Sequence, residues 1–299
     1  KSSPADRITI EGLLNSEGRV RGVTFADGTQ WTKADILGRL VANQATSGND
    51  TIIGTDASEG GILGGTGDDR LEGAGGNDTY VIRIGDGRDV VVETASHDTD
   101  KIVFEGRASS TLRVVRDGDD AVLSFTDGSD TVRLTGQFFY SYFGYFFGQQ
   151  RVENLVFEDK TISLHDLRQL YIDQASTSGA DVIRGTEEGE VFAAGAGADI
   201  LTGGEGDDIY VWKKGDGNDI IDDRAFGAGD VLRLEGVSAA EVTVTRTGAD
   251  ALFQIGGETI TVVGLFSGNR DATLSRVILQ DAIWTPSEVV VRALSDPAS

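Results

Sequence analysis

Acidic side chains recur every nine residues in the second half of the chain, at Asp181, Glu190, Asp199 and Asp208, and Asp219 follows eleven residues later. The first half repeats the series. Asp69, Asp78, Asp89 and Asp100 lie 130 residues before Asp199, Asp208, Asp219 and Asp230, and Asp50 lies 131 before Asp181. Each acid is the sixth residue of a nonapeptide that favours glycine at positions one, two and four and an apolar residue at position eight. The clearest are GGTGDDRLE (Gly64–Glu72), GAGGNDTYV (Gly73–Val81), AGAGADILT (Ala194–Thr202) and GGEGDDIYV (Gly203–Val211). Glycine admits positive φ, so such turns can direct backbone carbonyls inward beside the carboxylate. The result is a dense set of hard oxygen donors, which suits Ca²⁺ with its six to eight oxygens at about 2.3–2.6 Å. Softer metals call for His or Cys, and the chain has two His and no Cys.

Such donors converge only if the turns are stacked, and position eight supplies the means. Leu71, Tyr80, Leu201 and Tyr210 each fall in a short strand facing a core, so turn, strand, turn, strand winds a flattened right-handed coil of two nonapeptides per revolution. A flexible Gly/Asp linker has no reason to keep an apolar residue in that phase. After each block comes an alternating apolar–polar hairpin pattern, Val114–Phe139 and Val244–Ser267. Asp117-Gly118-Asp119-Asp120 reads as a hairpin turn, because its counterpart Thr247-Gly248-Ala249-Asp250 keeps one acid. A strand–turn–helix element then closes each unit, at Arg151–Leu170 and Ser275–Leu294, with Thr161 or Thr285 near the junction. The same element occupies Arg19–Leu40, after ITIEGLL (Ile8–Leu14), which matches Val132–Phe138. The expected organisation is therefore the closing part of a preceding unit (1–45), then two units, 46–173 and 174–299, with a further glycine-rich block upstream in the parent protein.

With 26 basic and 49 acidic residues the net charge is −23, and 33 of the acids are Asp. Such a surface repels nucleic acid. Without cysteine there is neither a disulfide scaffold nor a thiolate metal site. No apolar run approaches the roughly 20 residues of a membrane span, and no stretch reads as a secretory h-region. Self-repulsion should swell the metal-free chain, and each Ca²⁺ removes two negative charges, so binding free energy becomes folding free energy.

The GGxGxDxUx nonapeptides resemble the RTX, or haemolysin-type calcium-binding, repeats, and the segments after each block resemble the haemolysin-type calcium-binding protein related domain. The resemblance implies an all-β chain: two short parallel β-rolls, each followed by an antiparallel hairpin subdomain with a short terminal helix. It implies calcium held between successive turns by backbone carbonyls and sixth-position acids. Carried onto this chain, the donors are Gly65, Gly67 and Asp69, Gly73, Gly75 and Asp78, and Gly85, Gly87 and Asp89 in the first roll. In the second they are Gly195, Gly197 and Asp199, Gly204, Gly206 and Asp208, and Gly215, Gly217 and Asp219. Asp50, Asp100, Asp181, Glu190 and Asp230 flank them, for about two to four ions per roll. Glu59 and Glu190 depart from the usual Asp, the turn 56–61 is irregular, and Ala194, Ala196 and Ala198 dilute the glycines. The resemblance further implies a secreted, extracellular bacterial protein, passed unfolded through type I secretion machinery and folded by external calcium, with Ser295–Ser299 near a C-terminal signal. Two roles are open: a structural or interaction segment of an adhesin or matrix protein, or the C-terminal carrier of a toxin or hydrolase. A lectin-like module is a third.

Nothing in the sequence reads as catalytic. His97 and His165 lie in no HExxH motif, and neither GxSxG nor a phosphate loop is present. The aromatic run FFYSYFGYFF (Phe138–Phe147) is the outlier, and it reads either as a loop folded on its own core or as a patch for self-association or a protein partner.

Overall fold

The computed structural model describes residues 21–95, 98–139, 150–223, 229–267 and 274–295. His97, residues 140–147 of the aromatic run, the segment 8–14, and 296–299 lie outside the described residues. Within the run, Phe138 is buried and Phe139 exposed.

The chain forms two compact units, Lys1–Leu164 and His165–Ser299. The first holds β1 (Gly22–Thr24), β2 (Gln30–Thr32), α1 (Lys33–Ala42), β3 (Thr51–Ile53), β4 (Arg70–Glu72), β5 (Thr79–Ile82), β6 (Arg88–Val92), β7 (Lys101–Phe104), β8 (Leu112–Asp117), β9 (Asp120–Phe125), β10 (Thr131–Leu134), β11 (Asn154–Val156) and β12 (Thr161–Ser163). The boundary falls at the first residue of α2 (Leu164–Ala175). The second unit continues with β13 (Val182–Arg184), β14 (Val191–Phe192), β15 (Ile200–Thr202), β16 (Ile209–Lys213), β17 (Asp219–Ile221), β18 (Val231–Glu235), β19 (Val242–Thr247), β20 (Asp250–Ile255), β21 (Glu258–Val262), β22 (Arg276–Ile278), β23 (Ile283–Trp284) and α3 (Pro286–Ser295).

Each roll is built on two sheets, and in the second unit successive strands of the coil alternate between them. In the first, β3 and β4 share a sheet and Ile62, bridged to Tyr80, stands in the other between them, with β1 and β2 paired as a separate hairpin. In the first unit the orders are β3-β4-β6-β10-β9-β8 and β12-β11-β7-β5; in the second, β13-β15-β17-β21-β20-β19 and β14-β16-β18-β22-β23. Register stacks the apolar position-eight residues into columns. Ile52, Leu71 and Val91 align through the parallel β3-β4-β6 pairs, while Tyr80, Ile102 and Leu155 align across β5-β7-β11. The second unit repeats this with Ile183, Leu201 and Ile221 on one side and Phe192, Tyr210, Leu232 and Val277 on the other. All of these are buried. The columns are the reason the nine-residue phase matters: removing one apolar residue per coil would open a cavity through a core only two sheets thick.

The all-β, two-roll architecture stands. The hairpin regions, however, continue the roll's sheets. β10 pairs parallel with β6 and antiparallel with β9, and β21 does the same with β17 and β20. The turn Asp117–Asp120 joins β8 to β9, with Gly118 at φ 64°. At the strand–helix junctions Thr285 lies directly before α3, but the corresponding residue of the first unit is Ser163, since Thr161 opens β12.

The helices cap the rolls that follow them. After α1, Gln44 Nε2 donates to Ile53 O and Gln44 Oε1 accepts from Ile53 N. Within α2, Gln169 makes the same two bonds with Val191 on edge strand β14. An edge with its polar groups engaged in this way is a poor template for stray strand pairing.

Candidate calcium centres

Every interior sixth-position carboxylate does the same thing with one of its oxygens: it accepts the backbone N–H of the acid one coil earlier. Asp69 Oδ1 accepts from Asp50 N at 2.8 Å and Asp89 Oδ1 from Asp69 N at 3.1 Å. On the opposite edge Asp78 Oδ1 accepts from Glu59 N and Asp100 Oδ1 from Asp78 N, both at 2.7 Å, and Glu153 Oε2 from Asp100 N at 2.7 Å. The second unit repeats both ladders, Asp199 to Asp181 N and Asp219 to Asp199 N, and Asp208 to Glu190 N and Asp230 to Asp208 N, at 2.8–3.0 Å. Each bond fixes the carboxylate plane, so the other oxygen is held in one direction.

That other oxygen carries the site. Oδ2 of Asp69, Asp78, Asp199 and Asp208 is buried and without a hydrogen-bond donor. A buried polar atom left unpaired costs about 1–3 kcal/mol, and more when charged, unless a cation or donor meets it. The nonapeptide's first glycine makes room for it: a Cβ at Gly64 would lie 2.0 Å from Asp69 Oδ2, and one at Gly203 2.0 Å from Asp208 Oδ2. Position one is thus glycine for space at Gly64, Gly73 and Gly203, whereas the turn of Asp199 accommodates Ala194 there. At positions two and four φ is positive, at Gly65, Gly67, Gly204 and Gly206. In the turn expected to use Gly73 and Gly75, the positive-φ residues are instead Ala74 (φ 71°) and Gly76 (φ 93°), one residue further along. Gly195 keeps positive φ and Gly197 does not.

Sequence reasoning missed two donors. Asp78, Glu93 and Asp100 each offer a carboxylate oxygen within 4.8 Å of the others, as do Asp208, Asp223 and Asp230. Glu93 and Asp223 also accept the hydroxyls of Tyr80 and Tyr210, so the aromatic at position eight positions an acid as well as filling the core. The signal was available, because Glu93 and Asp223 are separated by the same 130 residues as the other pairs.

The electrostatics record the crowding. Burial, chiefly, and then neighbouring carboxylates push Asp78 and Asp208 up to about 8, against the backbone N–H each accepts. Burial likewise raises Glu93 to about 8, Asp89 and Asp230 to about 7, and Asp219 to about 6. Asp69, Asp199, Asp100 and Glu190 are raised for the same first reason. Converging acids that are costly to ionise together are the counterpart of a site completed by positive charge.

The outer turns differ. Asp50, Glu59, Asp181 and Glu190 each accept from the backbone N–H and the hydroxyl of a threonine four residues earlier, Thr46, Thr55, Thr177 and Thr186. At the last turns a hairpin carboxylate takes the glycine N–H groups. Asp130 accepts from Gly85 and Gly87, and Glu258 from Gly215 and Gly217. Asp130 is also paired with buried Arg107. The donor set at the interior turns is all oxygen, orphaned and held at fixed bearing, and it fits calcium. The residues that would hold the ion are Asp69, Asp78, Asp199 and Asp208, with Glu93 and Asp100, and Asp223 and Asp230, completing one edge of each roll.

Comparison with known families agrees with this geometry. The RTX calcium-binding nonapeptide repeat (4 copies) matches residues 44–58, 62–91 and 184–211, and the haemolysin-type calcium binding protein related domain matches residues 2–35. No curated protein sequence matches the chain. Among solved structures, the extracellular lipase LipA from Serratia marcescens is similar at 20% identity and a TM-score of 0.27, over 79% of this chain and 40% of the lipase. A likeness that low says nothing about activity. Both compact units thus carry segments that match the RTX calcium-binding nonapeptide repeat, and the buried, donorless carboxylate oxygens of Asp69, Asp78, Asp199 and Asp208 lie in those matched segments.

Proposed function

We propose that this chain is a calcium-folded, non-enzymatic structural or interaction segment of a large secreted bacterial RTX protein of adhesin or matrix type, arranged in repeat units (46–173 and 174–299). The observation that supports it most is the set of four buried carboxylate oxygens without a donor, two per roll at equivalent positions. A net charge of −23 adds to the demand for cations. Two to four ions per roll neutralise most of the interior acids and bind one coil to the next, about as many as the converging oxygens can serve. Extracellular calcium near the millimolar range lets the segment remain loose before type I export and fold after it. Among the described residues no helix is long and apolar enough to cross a membrane.

Circular dichroism in EGTA and then in calcium is the direct test: strand content rises on calcium addition, and a spectrum unchanged by calcium removes the proposal. Sequence upstream in the parent protein distinguishes the biological settings. More units of this type indicate a stalk, and a catalytic motif indicates the carrier of a toxin or hydrolase.

A further inference from the structure

Counted from their first helical residue, the three described α-helices share one plan but bury different faces: the fourth and eighth residues are buried in α2 and α3, whereas Leu40, the eighth of α1, is exposed. The fifth and ninth residues are Leu37 and Val41 in α1, Arg168 and Ile172 in α2, and Val290 and Leu294 in α3. In α1 they are 4% and 2% exposed, and in α2 both are 0%, whereas in α3 they are 38% and 64% exposed, with Val291 beside them at 65%. The fourth and eighth residues of α3, Val289 and Ala293, are buried, and the helix packs along β19.

What covers the fifth–ninth face is visible where it is buried. α1 lies between its own hairpin β1–β2 and β3, the opening strand of its roll, with Gln44 bonded to Ile53. In α2 the Arg168 guanidinium reaches Glu187 and Glu188, in the opening turn that Thr186 and Glu190 close, and Gln169 holds Val191. In both cases the occupant is the opening coil of the roll that follows in sequence. The spacing continues into the third copy. Thr46 lies fourteen residues after Thr32 and Thr177 fourteen after Ser163; the residue fourteen after Thr285 is Ser299, again a hydroxyl.

We infer that the Val290–Val291–Leu294 face of α3 is the seat for the opening coil of a further glycine-rich roll of the same chain. A second copy is the weaker occupant, since the opening coils of this chain already have α1 and α2. The inference rests on the calcium-folding proposal, because only a folded roll has an opening coil to seat.

The test grafts the face where an occupant is known. Residues 286–295 replace residues 33–42 in the full chain, ten for ten behind a threonine in both cases. Hydrogen exchange of peptides from 51–92 then follows folding of the first roll against calcium, with peptides from 182–221 as the control. The calcium midpoint of the first roll should stay within about twofold of the parent's. A second graft with aspartate at the two positions taken from Val290 and Leu294 should shift it by more than about tenfold and leave the second roll unchanged. If the plain graft shifts as far as the acidic one, or the acidic one shifts nothing, the face is not a seat for a roll. If light scattering finds the parent chain dimeric and V290D/L294D makes it monomeric, a second copy is the occupant and the inference is overturned. If the control roll also ignores calcium, it is the folding proposal that has failed.

Discussion

The opening turns and the interior turns of each roll use the same residues to different ends. At Asp50, Glu59, Asp181 and Glu190 the acid closes its own turn on a threonine four residues back. At Asp69, Asp78, Asp199 and Asp208 there is no such threonine: one oxygen reaches the preceding coil and the other is buried without a donor. The difference assigns the cation dependence. An opening turn is complete by itself and needs a covering helix, whereas an interior turn is incomplete until a positive charge arrives. A roll built this way is stable at its start and conditional in its middle.

The sharpest way to break that contrast is to neutralise one acid of each kind. D78N and D208N keep Oδ1 as acceptor for Glu59 N and Glu190 N but remove the charge that burial makes costly. Each should raise the melting temperature in EGTA and weaken the calcium midpoint of its roll by about tenfold or more. D50N, in a turn already closed by Thr46, should do neither to a comparable degree. If D78N and D50N move the calcium midpoint equally, the distinction between interior and opening turns is wrong.

Next in size is the space reserved for the orphaned oxygen. G203A places a methyl 2.0 Å from Asp208 Oδ2 and 2.4 Å from the Tyr210 hydroxyl. Gly203 has no positive φ, so the alanine is tolerated by the backbone, and the cost falls on the site. Calcium affinity of the second roll should fall by about tenfold with the first unaffected, as isothermal titration with two resolved site classes would show. Loss of affinity in both rolls would mean that they are not independent sites.

Much of this was legible in the sequence, and for a physical reason. A nine-residue phase with an apolar eighth position can be satisfied by few backbones, so the two-sheet coil and the columns through Leu71, Tyr80, Leu201 and Tyr210 follow from spacing alone. The sixth-position acids were legible for the same reason. Glu93 and Asp223 are marked as equivalents by their 130-residue separation, but their role is not, because they lie just past strand ends outside the nonapeptide and reach the site through the tyrosine hydroxyls and the sheet register. The parallel pairing of β10 with β6 was also hidden, since alternation marks a strand but does not say which neighbour it takes. Ala74 and Gly76 adopt positive φ because they stand at positions two and four of their nonapeptide, as Gly65 and Gly67 do, whereas Gly73 and Gly75 stand at positions one and three, so phase decides the turn more than composition.

Proton linkage gives a third test, with opposite signs in the two metal states. Asp78, Asp208 and Glu93 sit near 8 and Asp89 and Asp230 near 7 in the fold, against about 4 for an unfolded carboxylate. A raised acid holds its proton more tightly when folded, so its contribution is most favourable below about 4 and is lost as pH climbs through about 8. Exposed capping acids such as Asp35 and Glu288, lowered by hydrogen bonds to Thr32 and Thr285, act the other way and limit the gain at the acid end. In EGTA, thermal unfolding should therefore show higher stability near pH 5 than near pH 8. In saturating calcium the order should reverse, because protons then compete with the ion for the same oxygens. The same pH order in both states would place the raised acids away from the cation.

The smallest expected effect probes the opening turns directly. T55V and T186V remove the hydroxyl that donates to Glu59 and Glu190 but retain a β-branched side chain of similar shape. The backbone N–H of each residue still reaches the carboxylate, but the hydroxyl's acceptance from Ala57 N or Glu188 N goes with its bond to the acid, a loss of about 1–2 kcal/mol in all. Because these turns are closed without a cation, the loss should appear equally in EGTA and in calcium, as a melting temperature lowered by the same few degrees in both. An effect confined to the calcium state would show Glu59 or Glu190 sharing an ion with Asp78 or Asp208, their neighbours one coil on. The opening turns would then be part of the metal site after all, and the rolls would have no calcium-independent end from which to begin folding.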